Sequence, residues 1–298
     1  MTTDIVLSAR GLTRRFGRAV AVDGLDLDVP RGILLGLLGD NGAGKSTTIR
    51  IALGLLAATG GTIRVLGGDP AREGPRLRER IGYVPEDRRL YRHARVGRMV
   101  AYARWFHASW DAAYERSLLE RFHLDPAARI GTLSRGALAK LYLLLALAPR
   151  PELLLLDEAT GGIDAIARRE ILAGLVDLVA ENGTTIVFAS HALADVERVA
   201  DRIVILSGGR KVEEATVEDL RARYVKFRVR FPETAPPCPD PGTAGIRSGE
   251  RRRSEWLLVS GDAPSTRQFL LDRGGPAVEE IPLGFEDVFC EIVAGGRR

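Results

Sequence analysis

Two rhythms of apolar residues run through most of this chain. Ile33 to Leu38 is an apolar run suited to a strand buried on both faces, and Leu153 to Leu156, Thr185 to Ala189 and Arg202 to Leu206 read as strands too. Between the later runs, Ala165 to Ala180 and Leu193 to Val199 read as helices. Strands alternating with helices in this order imply a mainly parallel sheet and hence an α/β core. Upstream, Ile5 to Leu7 and Leu25 to Val29 read as short strands and Thr47 to Leu56 as a helix, which Gly60-Gly61 breaks before the short strand Thr62 to Leu66.

The stretch from Arg88 to Pro149 has a different texture, dominated by helical periodicity, and reads as a helical insertion. Tyr102, Trp105 and Phe106 fall at i, i+3 and i+4 on one face with Trp110 nearby, and core packing is the economical expectation for that face. Beyond about Thr216 the pattern changes again. From Tyr224 to Phe231, Val225, Phe227, Val229 and Phe231 point one way while Lys226, Arg228 and Arg230 point the other, which predicts a half-buried strand. Pro232 to Gly242 should be loop, Arg251-Arg252-Arg253 a solvated turn, and Phe285 to Val293 a closing amphipathic helix. The expected division is therefore a large domain over residues 1–216, with a helical subdomain at about 88–150, and a small α+β accessory domain over residues 217–298. No repeat of solenoid type is visible.

Composition refines this picture only slightly. At 298 residues, with 45% hydrophobic and 28% charged positions, the chain is long enough to bury a large core and a smaller one, and global disorder is excluded. The formal charge of +4 comes from arginines dispersed among acids rather than from a basic block, so no nucleic-acid partner is expected. Cys238 and Cys290 sit in no CxxC pattern, so neither a disulfide framework nor a zinc site is indicated. The polar start Met1-Thr2-Thr3-Asp4 is unlike a secretory signal, and the greasiest stretch, Leu141 to Ala148, is far below the roughly 20 residues of a membrane span. A cytoplasmic location follows as an expectation.

The candidate chemistry begins where the first buried strand ends. Gly39-Asp40-Asn41-Gly42-Ala43-Gly44-Lys45-Ser46-Thr47 satisfies GxxxxGK[ST] directly after a strand and directly before a helix. In such a loop the glycines let successive backbone N–H groups point inward at phosphate oxygens, and the positive end of the following helix adds to the attraction. Lys45 would hold the β- and γ-phosphates of ATP, Ser46 would ligate Mg²⁺, and Thr47 would contact the α-phosphate. A second signal is Leu153-Leu154-Leu155-Leu156-Asp157-Glu158, a buried strand stopping at two acids. Asp157 would bind Mg²⁺ through water, and Glu158 would act as general base toward an attacking water.

With these motifs in this order the chain resembles the ATP-binding subunits of ABC transporters, over roughly residues 4 to 215. Leu133-Ser134-Arg135-Gly136-Ala137 is similar to the family's LSGGQ signature, with Ser134 a plausible N-cap for the apolar helix Leu138 to Ala148. Gly161-Gly162-Ile163-Asp164 resembles the D-loop, Ser190-His191 follows a strand as the family's switch histidine does, and Phe16 occupies the position of the aromatic that stacks on adenine. The ending Gly284-Phe285-Glu286-Asp287-Val288-Phe289 looks like the tail of bacterial export-type members.

The resemblance implies a P-loop NTPase core with a mainly parallel sheet, an antiparallel β subdomain and a helical insertion, plus the small C-terminal α+β domain. It implies an ATPase dependent on Mg²⁺, with Glu158, His191 and Lys45 catalytic. Phe16, the loop Gly39 to Thr47, Ser134, Gly136 and Asp164 would bind nucleotide, and Ser46, Glu86 and Asp157 the metal. It also implies a homodimer, or a heterodimer with a related ATPase, that energises a separate integral membrane permease, for export, from the cytoplasmic face of the cell membrane. Part of the Tyr102, Trp105 and Phe106 face would then line a groove for a helix of that permease. A soluble member acting on nucleic acid or ribosomes is the rival class, and an ATP-sensing module without turnover a third.

Three positions depart from the family pattern. Glu86, after Ile81-Gly82-Tyr83-Val84-Pro85, stands where a glutamine is usual; it keeps an oxygen for Mg²⁺ but loses an amide donor and adds negative charge. Ala137 replaces the signature's glutamine and Arg135 its first glycine. Arg135 has two open readings, a positive charge for a partner's phosphate or a solvent-facing side chain.

Overall fold

Strands made only of apolar residues must be covered on both faces. In the computed structural model, which describes residues 4–272 and 278–296, the runs Leu34–Gly39, Leu153–Asp157 and Thr185–Ser190 are buried at every position. The chain divides into two compact units, Met1–Glu214 and Ala215–Arg298. The polar start at Met1 to Thr3 lies outside the described residues.

The first unit opens with β1 (Ile5–Phe16) and β2 (Ala19–Pro30), an antiparallel hairpin turned at Gly17-Arg18. β3 (Leu34–Gly39) leads into α1 (Lys45–Ala52), and β4 (Gly60–Val65) returns to pair with β1, completing an antiparallel sheet of order β2-β1-β4. After α2 (Pro70–Arg78) and β5 (Ile81–Val84) come three helices, α3 (Val96–Arg104), α4 (Ala112–Arg121) and α5 (Arg135–Leu147). The chain then alternates through β6 (Leu153–Asp157), α6 (Ala165–Asn182), β7 (Thr185–Ser190), α7 (Leu193–Val199), β8 (Arg202–Ser207) and β9 (Arg210–Ala215). The resulting six-stranded sheet has the order β5-β6-β7-β3-β8-β9, with its first five strands parallel. One apolar cluster joins the two sheets: Leu12, Leu25 and Leu27 from the antiparallel side meet Leu35, Leu155 and Val204 from the parallel side.

The expected core role of the aromatic face is overturned. Tyr102, Trp105 and Phe106 are 57%, 90% and 63% exposed. The periodicity places them together on one face, with Tyr102 and Phe106 edge to face at 5.1 Å. The helix carries a second apolar stripe, Val96, Met99 and Val100, and that is the one that is buried. Only Tyr102 lies within α3; Trp105 caps the helix and Phe106 lies in the turn beyond, so the aromatic group straddles the end of the helix while the smaller residues along it are covered.

The second unit begins with α8 (Val217–Arg223) and β10 (Val225–Arg230), continues through β11 (Ile246–Arg251), β12 (Glu255–Ser260), α9 (Ala263–Asp272) and β13 (Val278–Pro282), and closes with α10 (Phe285–Gly296). Its four strands form an antiparallel sheet of order β11-β12-β10-β13. The alternation along β10 acts as its residues dictate. Phe227 and Val229 pack with Trp256, Leu258 and Leu270, while Arg228 donates to Glu279 at 3.1 Å on the polar side. Pro232 to Gly242 is loop, and the turn between β11 and β12 carries the exposed Arg252 and Arg253.

Candidate active site at the ends of three parallel strands

Parallel strands that run side by side end side by side, and here β3, β6 and β7 each stop at a residue with chemistry. β3 ends at Gly39 and turns into a loop that becomes α1 at Lys45. Two glycines make the turn possible. A Cβ on Gly39 would lie 2.5 Å from the Leu206 carbonyl oxygen and 2.8 Å from the Ala43 Cβ. Gly44, at φ 102° and acting as N-cap of α1, would place a Cβ 2.5 Å from the Ala21 carbonyl oxygen. The loop bounds a cleft of about 370 Å³ lined by Ala21, Asp40 to Thr47, Glu86 and Glu158.

Lys45 is buried, and its Nζ donates to the carbonyl oxygens of Gly39 at 2.6 Å and Asp40 at 3.2 Å, so the ammonium is held inside the loop. The same Nζ lies 3.5 Å from Glu158 Oε1. The other carboxylate oxygen of Glu158, Oε2, is 2.7 Å from His191 Nδ1 and accepts from the His191 backbone N–H at 3.3 Å. Glu158 directly follows β6 and His191 directly follows β7, so pairing of these two strands brings the residues together. Glu158 holds a left-handed backbone, φ 52°, a sparsely populated conformation that a non-glycine residue keeps only where its surroundings fix it.

Asp157, the last residue of β6, is fully buried. Ser46 Oγ donates to its Oδ1 at 2.7 Å, and its Oδ2 has no hydrogen-bond partner among the described residues. Burial pushes the Asp157 carboxyl up from its ordinary range; the Ser46 hydrogen bond pulls it down, and the charge of Glu86 pushes it up further. A buried carboxylate oxygen left without a donor beside a serine hydroxyl fits a divalent cation, whose charge would reverse the cost of burial. Ser46, Asp157 and, on the rim of the cleft, Glu86 are the oxygen donors that could hold it.

The remaining sequence candidates gather elsewhere. Ser134 caps α5 through a hydrogen bond from the Ala137 N–H to its Oγ at 3.1 Å. Asp164 caps α6, accepting from Ile166 N and Ala167 N at 3.1 and 2.9 Å, and these backbone donors hold its carboxyl below the usual range. A Cβ on Gly136 would lie 3.4 Å from Asp164 Oδ2 and 2.8 Å from the Ala167 Cβ, so the two helix starts are in close contact. Arg135 passes over Gly162, its Nη1 3.2 Å from where a Cβ on that residue would stand. Ser134, Gly136 and Asp164 thus form a cluster of their own, outside the lining of the cleft. Phe16 also lies outside that lining; it ends β1, half exposed, with the Arg14 guanidinium 4.5 Å above its ring.

Comparison with known proteins places this arrangement. The ABC transporter family model matches residues 22–161. The Nod factor export ATP-binding protein I of Rhizobium sp. (strain N33) is 34% identical over 297 residues, covering 97% of each chain. The chain belongs to the family of ABC transporter ATP-binding proteins. The daunorubicin/doxorubicin resistance ATP-binding protein DrrA of Streptomyces peucetius is 36% identical over 72% of this chain and 67% of its own. The ABC transporter ATP-binding protein YtrB of Bacillus subtilis (strain 168) is 29% identical over 98% and 100%. Among solved structures, an ATP-binding subunit of an ABC transporter superposes with a TM-score of 0.66 at 29% identity, over 73% of this chain and 92% of that one.

As an ABC transporter ATP-binding protein the chain is an ATPase with a P-loop core. Among its described residues no helix is long and apolar enough to cross a membrane. The sequence motifs of the family leave two arginines of the site unnoticed. Arg50 of α1 lowers the Asp157 carboxyl by its charge, against the larger effect of burial. Arg88 donates through Nη2 to the Glu158 carbonyl oxygen at 3.0 Å and to that of Ala159. Neither belongs to a pattern of neighbouring residues; for Arg88 the acceptors lie far along the chain and only the fold brings them near.

Proposed function

We propose that this ABC ATPase binds MgATP with its triphosphate in the loop Gly39 to Thr47 and hydrolyses it with Glu158 as general base. Backbone N–H groups of the loop and the N-terminal end of α1 attract the phosphates, and Lys45 turns from the carbonyls of Gly39 and Asp40 to the β- and γ-phosphates. Ser46, Asp157 and Glu86 would hold Mg²⁺, which would supply positive charge to offset that of the phosphates. Glu158 takes a proton from the water that attacks the γ-phosphorus, releasing ADP and phosphate. His191 orients that carboxylate from its far side. Phe16 stacks on the adenine.

The observation that carries this reading is the Glu158 carboxylate, held between Lys45 Nζ at 3.5 Å and His191 Nδ1 at 2.7 Å beside the phosphate loop. A base must sit within reach of the reacting phosphate yet be anchored away from it, and this one has a partner for each oxygen. Ser134, Gly136 and Asp164 complete a second copy's nucleotide site, so that the working form is a dimer, of two such chains or with a related ATPase. The dimer sits on the cytoplasmic face of the cell membrane and drives a separate permease. Export is the direction favoured by likeness to a Nod factor export protein and a drug resistance protein. The exposed Tyr102, Trp105 and Phe106 face supports a docking place for a permease helix.

Glu158→Gln tests the assignment. Steady-state phosphate release should fall by about 100-fold or more, the scale of general-base catalysis, while nucleotide affinity persists and ATP-bound dimer accumulates in size-exclusion chromatography. Turnover at the wild-type rate would remove Glu158 as the base.

A further inference from the structure

The backbone around Glu158 is held from several sides, and one holder comes from a distant part of the chain. Its N–H donates to the Ala189 carbonyl of β7 at 2.9 Å, and its carbonyl oxygen accepts from Gly161 N at 3.1 Å. That carbonyl also accepts from Arg88 Nη2 at 3.0 Å, and the same nitrogen donates to the Ala159 carbonyl oxygen. Two successive carbonyls, the first that of Glu158 itself with its left-handed φ of 52°, are therefore gathered onto one guanidinium nitrogen. Such a backbone relaxes unless it is over-determined, and relaxation would swing the carboxylate away from His191.

Arg88 is a costly residue to place there. It is half-buried, its Nε is buried without a hydrogen-bond partner among the described residues, and no carboxylate pairs with it at salt-bridge distance among them. Burial lowers its titration while the nearby Tyr142 of α5 raises it. An arginine that gives up solvent only to reach two main-chain carbonyls is doing positional work that an apolar residue of similar length could not. It also follows by two positions Glu86, which lines the cleft, and it neighbours α5, which Ser134 caps.

We infer that Arg88 is a positioning residue for hydrolysis: it fixes the two peptide carbonyls that follow the strained Glu158 Cα, those of Glu158 and Ala159, so that the Glu158 carboxylate stays aimed, and it ties that aim to the Glu86 segment and α5. This rests on the reading of Glu158 as general base. A misaim of about 1 Å at a catalytic group can cost on the order of 100-fold. Removing the donor should therefore lower kcat by about 10- to 100-fold while leaving substrate binding alone.

The experiment measures kcat and KM for MgATP, with thermal midpoints, for Arg88→Met, Arg88→Lys and Glu158→Gln, and single-turnover rates for Glu158→Gln with and without Arg88→Met. Arg88→Met should lose kcat at unchanged KM, and Arg88→Lys, which keeps a cationic donor, should recover most of it. In the Glu158→Gln background the Arg88→Met substitution should change nothing, because there is no base left to aim. If Arg88→Met does not fold, Arg88→Gln, too short to span to both carbonyls, is measured in its place with the same expectation. Wild-type kcat in the truncated variant, a loss matched by an equal rise in KM, or a loss of the same size in the Glu158→Gln background would each overturn the role. A wild-type rate in Glu158→Gln would instead remove the base assignment itself, so the two failures are distinguishable.

Discussion

The phosphate loop depends on single atoms that are not there. Gly44 combines a left-handed φ of 102° with a Cβ position 2.5 Å from the Ala21 carbonyl oxygen, and main chain cannot fold aside as a flexible side chain can. Gly44→Ala should therefore distort the loop locally at a cost of about 1–3 kcal/mol and weaken MgATP binding by at least about 10-fold. Equilibrium binding of a fluorescent ATP analogue, with far-UV circular dichroism unchanged, measures this; wild-type affinity would mean that the loop does not need this backbone. The departures from the family pattern act at the same scale. Glu86 brings a negative charge to the rim of the cleft, which adds to the larger effect of burial in raising the Asp157 carboxyl. Arg135 packs over Gly162 of its own chain.

At the scale of elements, the site exists because β3, β6 and β7 are neighbours and their C-terminal ends are level, so the register of the sheet is a functional quantity. A four-residue ion cluster of Glu152, Arg80, Arg31 and Asp4 stands at the opposite end of β6. Glu152, just before β6, accepts from Arg80 Nε at 2.6 Å, just before β5, and from Arg31 Nη1 at 3.2 Å, just after β2. Arg80 first and Arg31 second hold the Glu152 carboxyl below the ordinary glutamate range. A folded value below the unfolded one means that the stabilisation is present above the unfolded value of about 4.3 and is lost as pH falls through the folded value. These side chains are more than a third exposed, so Glu152→Gln should cost under about 1 kcal/mol at pH 7, and the gap between variant and wild type in urea melts should close below about pH 4. A gap that widens in acid would contradict the sign.

Much of this scale was legible in the sequence. The buried runs that became β3, β6, β7 and β8 show themselves by composition, and α7 by its periodicity. The hairpin β1–β2 was legible only at Ile5 to Leu7 and Leu25 to Val29, because bulges break its alternation at Ala9 to Arg14 and long stretches face solvent. In the second unit the strict alternation of β10 was visible, whereas the short β11 and β13 carry mostly exposed or half-exposed residues and give little signal. Motif residues of the site are contiguous and could be read; Arg50 and Arg88 act across the fold, and only the structure shows them. Tyr102, Trp105 and Phe106 were expected in the core but straddle the C-terminal end of α3 and are exposed, since pattern alone does not tell which apolar residues are covered.

At the scale of the whole molecule, the first unit carries two separate surfaces of chemistry, the cleft and the cluster of Ser134, Gly136 and Asp164. Neither is a complete site in the proposed reading, and closing a dimer so that each cluster meets the other chain's cleft makes two complete ones. ATP binding would then draw the helical regions of the two chains together, and hydrolysis would release them, which is how a chemical step becomes a motion of attached membrane subunits. The exposed Tyr102, Trp105 and Phe106 at the C-terminal end of α3 would stand on the region that moves in that cycle. All of it presupposes that the loop between β3 and α1 holds the nucleotide's phosphate tail. The most direct measurement is the affinity of Lys45→Ala for a fluorescent MgATP analogue, taken alongside its thermal midpoint. The account predicts a loss of about 10-fold or more in a protein that still melts cooperatively near the wild-type midpoint; an affinity equal to wild type would contradict it.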